Sequence, residues 1–337
     1  MTALAVTPAP AFTATALDFD PAAEVDRIVA ALRAQLTQKL KKRGLVLGLS
    51  GGIDSSVSAA LAVRAVGAKN VLAIFMPEND SDPDSLRLGR AVADAFAVPS
   101  VLEDIGPTLA AMGCYERREA FVREVVPDYG PGWAFKIVIA NALTTEGYGL
   151  SSLVVRSPDG EMRTVSMPHH VYLGIVAATN MKQRTRKQIE YYHADRLNFA
   201  VLGTPNRLEY DQGFFVKNGD GAADVKPIAH LYKTQVYALA AHLGVPAEIC
   251  ARPPTTDTFS LPQTQEEFYF SLPYDRMDLC LAGLDRGAPI EQVAEAVGLS
   301  PREVERVWAD IAAKRRTTKP LHTRPLLVAP VPSVAAD

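Results

Sequence analysis

The chain has 337 residues and a mass of 36.4 kDa, and its 48% apolar and 22% charged residues are typical of a folded globular protein, not of a disordered chain. Its 35 basic and 38 acidic residues give a formal charge of −3, which argues against a general nucleic-acid binder or a protein of anionic membranes. The three cysteines are widely separated and no apolar run approaches the roughly 18 residues of a membrane span, so we predict a cytoplasmic protein without disulfides or cysteine-bound zinc.

The predicted elements begin after residues 1–19, a stretch rich in Ala, Thr and Pro that we interpret as a flexible N-terminal extension, although an arm docked on a partner subunit would have the same composition. Asp20 and Pro21 then start an amphipathic helix, and a short apolar strand follows at residues 45–49. Helices and buried strands alternate from there to residue 105. This alternation predicts an α/β fold, in which a parallel sheet is flanked by helices.

This alternation is interrupted at residues 113–168, where two short strands around a Ser-Pro-Asp-Gly turn predict a β-hairpin at 153–165. We interpret residues 113–168 as an insertion into a single domain that spans residues 20–325. The segment is too short to build a substantial core of its own.

The C-terminal part contains a predicted pair of short helices at residues 290–313 and a tail at 326–337. The spacing of the pair also resembles a DNA-binding helix-turn-helix. Glu303 and Glu305, however, make the second helix a poor match for a phosphate backbone, so packing on the domain is the better interpretation.

The segment SGGIDSS, residues 50–56, joins the strand at 45–49 to a helix and carries the strongest chemical signal. Glycines let the backbone approach an anion, N–H groups at a helix N-terminus point at it, and serine hydroxyls donate to phosphate oxygens. Asp54 adds a carboxylate that can hold Mg²⁺. No Gly-Lys-Ser or Gly-Lys-Thr follows, so the segment is not a Walker A loop.

Further motifs follow in order along the chain. They are GTPNRLE at residues 203–209, GFFVKNGDGAAD at 213–224, LYKTQ at 231–235 and PTTD at 254–257. Together with SGGIDSS they resemble the NAD synthetase family, of the ammonia-dependent type, within the PP-loop ATP-pyrophosphatase superfamily. The resemblance covers roughly residues 25–112 and 170–320.

The resemblance implies a Mg²⁺- and ATP-dependent ligase that converts deamido-NAD and ammonia into NAD, AMP and pyrophosphate through an acyl-adenylate. It also implies a homodimer in the cytoplasm, fed by an ammonia source outside the chain. The catalytic residues by resemblance are Asp54, Lys233, Asp220 and Asp224, and the metal ligands are Asp54 and Glu209. The residues matched to ATP and its phosphates are Ser50, Gly51, Gly52, Ser55, Ser56, Arg184, Thr204, Lys217, Thr255, Lys314 and Arg315.

Three departures from the family pattern keep alternatives open. The basic stretch at residues 314–316 lacks the family's histidine, Asn218 replaces an aromatic residue, and the compact members lack the insertion at 113–168. A specialised amide synthetase acting on a different carboxylate is therefore one alternative, and a non-catalytic ATP-binding regulator with a DNA-contacting tail is another. We predict that the insertion closes over the acceptor end of the site or packs across a subunit interface, changing acceptor choice more than ATP binding.

Overall fold

A computed structural model describes residues 11–139, 151–254, 258–263, 269–270 and 272–332. The strands are Leu45–Gly48 (β1), Val71–Phe75 (β2), Ser100–Leu102 (β3), Ala134–Ile139 (β4), Ser151–Arg156 (β5), Met162–Ser166 (β6) and Ala200–Val201 (β7). The α-helices are Pro21–Ala34 (α1), Ile53–Val66 (α2), Pro83–Ala95 (α3), Gly106–Ala111 (α4), Cys114–Val125 (α5), His169–Leu197 (α6), Arg207–Gln212 (α7), Lys233–Leu243 (α8), Ala247–Ala251 (α9), Tyr274–Arg286 (α10), Ile290–Val297 (α11) and Pro301–His322 (α12). None of the helices in this described part combines the length and apolar character that crossing a bilayer requires.

The central sheet is parallel, with strand order β3-β2-β1-β7. Successive side chains of β1 and β2 enter different cores: Leu45 and Leu47 pack with the helices on one face, and Val46 packs on the other. Helices α1, α2 and α8 cover the first face, while α4 and α6 cover the second. The predicted α/β fold is confirmed, and strands β1, β2 and β7 are apolar because both of their faces are buried, while the edge strand β3 is partly exposed.

The segment 113–168 contains more regular structure than its sequence pattern indicated. The predicted hairpin is present as β5 and β6, which pair antiparallel, but β4 adds a third strand on the other side of β5. Phe135, Ile137, Leu153 and Val155 form a buried cluster with residues of α5 and α6. The segment therefore does not build this core on its own, because α6, which lies outside residues 113–168, supplies part of the apolar surface.

The C-terminal helices pack together, as the preferred interpretation of their sequence predicted. Residues of α10, α11 and α12 share one hydrophobic cluster, and α12 continues to His322, beyond the predicted end at residue 313. The same cluster buries Phe12 and Leu17 from the segment predicted to be flexible. Residues 11–19 are thus packed on the domain, because Phe12 and Leu17 pack on helices that the sequence pattern does not indicate as their partners.

Candidate active site

A cleft of about 940 Å³ lies at the carboxyl ends of β1, β2 and β7. Ligands of open α/β sheets bind at this edge, where the loops that follow neighbouring strands meet. The cleft is lined by the loop after β1, the segment between β2 and α3, one face of α6, and residues 213–220. The motifs singled out in the sequence converge on it.

The loop between β1 and α2 has the conformation that an anion site requires. Gly52 caps α2 with extended backbone, so the first N–H groups of the helix are left without intrahelical partners. Gly51 has a φ of +76°, and a Cβ there would lie 2.5 Å from the Cβ of Leu88, so only glycine fits. The hydroxyls of Ser50 and Ser55 lie 3.3 Å apart beside this turn. Ser50, Gly51, Gly52 and Ser55 all line the cleft, as the phosphate interpretation predicts.

Ser56 does not share this position. Its hydroxyl donates to the carbonyl oxygen of Gly52 at 2.8 Å, and the residue is fully buried outside the cleft lining. The predicted phosphate contact of Ser56 is therefore corrected. Ser56 lies one residue beyond Ser55, which turns its side chain about 100° around the axis of α2, toward the interior of the domain.

Asp54 and Lys233 form an ion pair at the floor of the cleft. The Lys233 side chain is 1% exposed, so its ammonium group depends on nearby carboxylates for compensation. Burial lowers the pKa of Lys233, but the charges of Asp54 and Glu209 outweigh burial and raise that pKa above its ordinary value. Lys233 is therefore a fixed cation in the cleft.

Glu209 is held by the helix that carries it. Asn206 caps α7 in a reciprocal capping box: its side chain accepts from the Glu209 N–H, and a Glu209 carboxylate oxygen accepts from the Asn206 N–H at 3.1 Å. The Asn206 amide also donates to Asp54 at 3.2 Å. Asn206 thus links the two carboxylates predicted to bind metal. The sequence analysis did not predict this role, although the Asn-x-x-Glu spacing of a capping box is present in the motif.

These side chains fit a Mg²⁺ ion. In the described ranges no three His, Cys, Asp or Glu side chains cluster as a complete metal cage. Mg²⁺ is commonly held by one or two carboxylates while waters and substrate phosphates supply its other ligands. Asp54 and Glu209, facing a phosphate-type loop, provide that incomplete set.

The loop at residues 213–224 places Asp220 against the cleft. The Asp220 carboxylate accepts from the N–H of Val216 at 2.8 Å, so it caps the turn and lines the cleft at once. Burial raises the pKa of Asp220 above its usual range. Glu190 also lines the cleft, pairs with Lys187 at 2.6 Å, and has a pKa raised by burial. The sequence reasoning did not single out Glu190.

Two predicted site residues lie outside the cleft lining. The carboxylate of Asp224 accepts from the N–H of Val201 at 2.7 Å, which ties the loop to the sheet edge, and its other oxygen accepts from the Tyr191 hydroxyl at 3.5 Å. Arg315 pairs with Asp211 at 2.8 Å and with Asp285 at 2.6 Å on the far side of α12. The structure therefore places neither residue in the cleft lining, and their predicted roles stay predictions. Thr255 falls outside the described residues.

The remaining predicted residues line the cleft with different degrees of exposure. Thr204 follows β7, and Arg184 donates to the Lys217 carbonyl at 3.2 Å on the exposed side. The ammonium group of Lys217 donates to the backbone carbonyls of Pro320, in the last turn of α12, and of Thr323, just after that helix, at 2.8 and 3.1 Å. Lys314 is mostly buried beside Tyr269, and burial lowers its pKa. These cations surround the outer part of the cleft.

Asp278 supports the site although it does not line the cleft. Asp278 of α10 accepts from both the N–H and the hydroxyl of Thr234, at 2.8 and 2.9 Å, and so caps the first turn of α8, where Lys233 lies. Nothing in the local sequence around Asp278 indicated this contact, since its partner is 44 residues away.

Comparisons with known proteins agree with the family resemblance found in the sequence. The family model for NAD synthase matches residues 24–126 and 161–318, leaving out residues 127–160. The chain is 75% identical over 323 residues to an NH3-dependent NAD(+) synthetase of Rhizobium meliloti, covering 96% of each chain. Among solved structures, the NMN synthetase of Francisella tularensis aligns with a TM-score of 0.63 at 22% identity, over 92% of this chain and 99% of its own. The NH3-dependent NAD synthetase of Campylobacter jejuni aligns with a TM-score of 0.59 at 20% identity, over 92% of this chain and 100% of its own.

Proposed function

The chain belongs to the NAD synthase family, and from this premise we propose that it is an ammonia-dependent NAD synthetase, a carbon–nitrogen ligase that uses ATP. The observation that carries the proposal is the convergence of Asp54, Lys233 and Glu209 on a phosphate-binding loop. This arrangement suits a reaction in which pyrophosphate leaves from ATP. The 75% identity to an NH3-dependent NAD(+) synthetase supports the same activity.

The first step joins the substrate carboxylate to AMP. An oxygen of the nicotinate carboxylate of deamido-NAD attacks the α-phosphorus of ATP, and the bond from that phosphorus to the leaving pyrophosphate breaks. The products are an acyl-adenylate and pyrophosphate. Lys233 and the N–H groups of the loop at residues 50–55 stabilise the negative charge that grows on the leaving oxygens. Asp54 and Glu209 would hold Mg²⁺, which supplies further neutralisation of the phosphates when it is bound.

The second step forms the amide. Ammonia attacks the acyl carbon, the carbon–oxygen bond to AMP breaks, and the nitrogen loses one proton. Asp220 is a suitable acceptor for that proton because its raised pKa makes the carboxylate a better base than an exposed aspartate. The backbone contact at Val216 holds it toward the cleft.

The cysteines support free ammonia as the nitrogen donor. A thiol that hydrolyses glutamine must ionise readily, but burial raises the pKa of Cys114 and Cys250, and it raises that of Cys280 to about 12. None of the three is prepared as a nucleophile. We propose that an external source supplies the ammonia.

The experiment is an acceptor and donor screen with the purified chain. AMP and pyrophosphate are followed with ATP, Mg²⁺ and ammonium, using deamido-NAD and then other aromatic carboxylates, including a mononucleotide. The proposal predicts AMP and NAD in equal amounts with deamido-NAD and ammonium, and no amide with glutamine alone. Faster AMP formation with another carboxylate would favour a specialised amide synthetase, and ATP binding without AMP formation would favour a regulator.

The proposal includes a cytoplasmic homodimer. Support for the dimer comes from the family resemblance and from large apolar side chains left exposed on α6, where Leu173 is 50% and Tyr192 61% exposed. Light scattering of the purified chain should give twice the 36.4 kDa chain mass. A mass of one chain at micromolar concentration would contradict it.

A further inference from the structure

A cluster of buried charges lies beside the cleft and has no part in the chemistry above. Lys182 of α6 is at its centre, with its ammonium group 3.0 Å from Glu78 and 2.5 Å from Asp80. Arg118 of α5 pairs with the same Asp80, and the Tyr115 hydroxyl donates to Glu78 at 2.8 Å. We call these five residues the Lys182 cluster. Lys182 is 1% exposed and Arg118 is 3% exposed.

The charges in the Lys182 cluster compensate one another. Burial acts to raise the pKa of Asp80, but the attraction of Lys182 and Arg118 outweighs it and lowers that pKa below the usual range. Two cations thus face two acidic side chains, and removing any one leaves the buried charges unbalanced. Such a cluster keeps its members in one arrangement.

The Lys182 cluster connects the insertion with the cleft. Arg118 lies on α5 within the segment 113–168 and stacks on Phe135 of β4, with its guanidinium carbon 5.1 Å from the ring centre. Glu78 and Asp80 lie in the segment between β2 and α3, which forms a wall of the cleft. Arg118 therefore contacts both the insertion and the segment that forms that wall.

A second connection runs through residues 258–263. Lys182 donates to the carbonyl of Thr258 at 3.0 Å, and Thr258 lines the cleft. Beyond it, the chain lies along the edge of β4: the Phe135 N–H donates to the Ser260 hydroxyl at 3.0 Å, and the Leu261 N–H donates to the Phe135 carbonyl at 3.1 Å. The insertion therefore holds a second part of the cleft wall.

The β2–α3 segment, which contains Glu78 and Asp80, runs into the helix on which the phosphate loop packs. The segment after them enters α3, whose N-terminus is capped by Asp82 through the N–H of Asp84 at 2.9 Å. Helix α3 packs so closely on Gly51 that no side chain fits between them. A displacement of this segment would therefore move the surface against which the phosphate loop is packed.

We propose that Lys182 and Arg118 are positioning residues for ATP, through which the insertion holds the β2–α3 segment against the phosphate loop. The proposal rests on the proposed function for its kinetic readout. It differs from the sequence-based prediction, in which the insertion acts on acceptor choice. Neither residue is assigned contact with the reacting atoms.

The test compares two substitutions on α5. Arg118→Met removes the buried charge while keeping much of the side-chain volume, and Arg117→Met, at an exposed arginine of the same helix, is the matched control. We expect Arg118→Met to raise the KM for ATP about tenfold, with kcat and the acceptor KM changed less than twofold, and Arg118→Lys to restore most of the loss. The control should match the unsubstituted protein.

A direct measurement separates this inference from the proposed function. In Arg118→Met the Kd of ATP, measured by calorimetry without acceptor, should rise about as much as the KM for ATP. Because no acceptor is present, this expectation does not depend on which carboxylate the protein uses. Should Arg118→Met fail to fold, the nearly isosteric Asp80→Asn takes its place in the same comparison. An unchanged ATP Kd, or equal increases in both KM values, would overturn the proposal.

Discussion

Asp54 and Lys233 form a buried ion pair whose members cannot be removed independently. Asp54→Ala should abolish AMP formation, but it also leaves the ammonium group of Lys233 buried without its partner, at a cost of ~3–5 kcal/mol of stability. We therefore expect the melting temperature to fall as well. The sequence alone suggests a carboxylate at a loop tip, which could be removed with little effect on packing.

The double variant Asp54→Ala/Lys233→Met separates these effects. Without either charge, most of the lost stability should return, because an apolar side chain replaces the buried cation. AMP formation should remain undetectable, because the groups that stabilise the leaving pyrophosphate are still missing. Chemical denaturation and an AMP assay measure the two properties. Recovery of activity together with stability would contradict the assigned role of the pair.

Asp278 makes the stability of the protein dependent on pH. Burial raises its pKa to about 6 from the ordinary 3.8. Between these values the folded state binds more protons than the unfolded state, so the free energy of unfolding decreases as the pH rises from about 4 to about 6, by up to ~3 kcal/mol. In Asp278→Asn this decrease should be absent. Denaturant titrations across that range measure it, with Asp275→Asn, exposed on the same helix, as the control.

The short helix α7 positions its glutamate through its own cap. Glutamine also completes a capping box at this position, so Glu209→Gln should preserve α7 while removing one charge facing the metal. We expect the Mg²⁺ concentration for half-maximal activity to rise about tenfold. Glu303→Gln makes the same change in the exposed capping box of α12 and serves as the control. Identical Mg²⁺ titrations for the two variants would remove Glu209 from the metal site.

The N-terminal segment behaves as part of the domain. The Leu17 side chain is 9% exposed in the C-terminal cluster, and its carbonyl accepts from Gln235 at 3.1 Å. Leu17→Ala should therefore lower the free energy of unfolding by ~2–3 kcal/mol, since it opens a cavity. Leu326→Ala, at a side chain 88% exposed, should change it by less than ~0.5 kcal/mol. Equal denaturation midpoints would mean that residues 11–19 do not pack in solution.

Elements with a strong local pattern could be predicted, and those defined by distant partners could not. The helix from Pro21 and the hairpin at β5 and β6 follow from caps, turns and periodicity in their own segments. Strand β4 pairs with β5 and is also held by Ser260, 125 residues away in sequence, and the Leu17 carbonyl is held by Gln235, 218 residues away. The local sequence pattern of a segment does not indicate contacts of this kind.

For the whole molecule, the alternation of apolar strands and helices was enough to predict the parallel sheet and the edge at which the site forms. The motifs also predicted that Asp54, Glu209 and Lys233 lie close together, because each lies at the start of a helix at that edge. The orientation of individual side chains required the structure, as Ser56, Asp224 and Arg315 show. Ser56 donates to the backbone of Gly52, Asp224 accepts from the backbone of Val201, and Arg315 pairs with Asp211.

Transfer of labelled oxygen tests the central claim, that the cleft joins a carboxylate to AMP before ammonia attacks. Deamido-NAD with ¹⁸O in its nicotinate carboxylate is converted with ATP, Mg²⁺ and ammonium, and the products are analysed by mass spectrometry. The account predicts one ¹⁸O atom in each AMP formed and none in pyrophosphate, because the carboxylate oxygen stays on the α-phosphorus when the amide forms. Unlabelled AMP, or label in pyrophosphate, would contradict it.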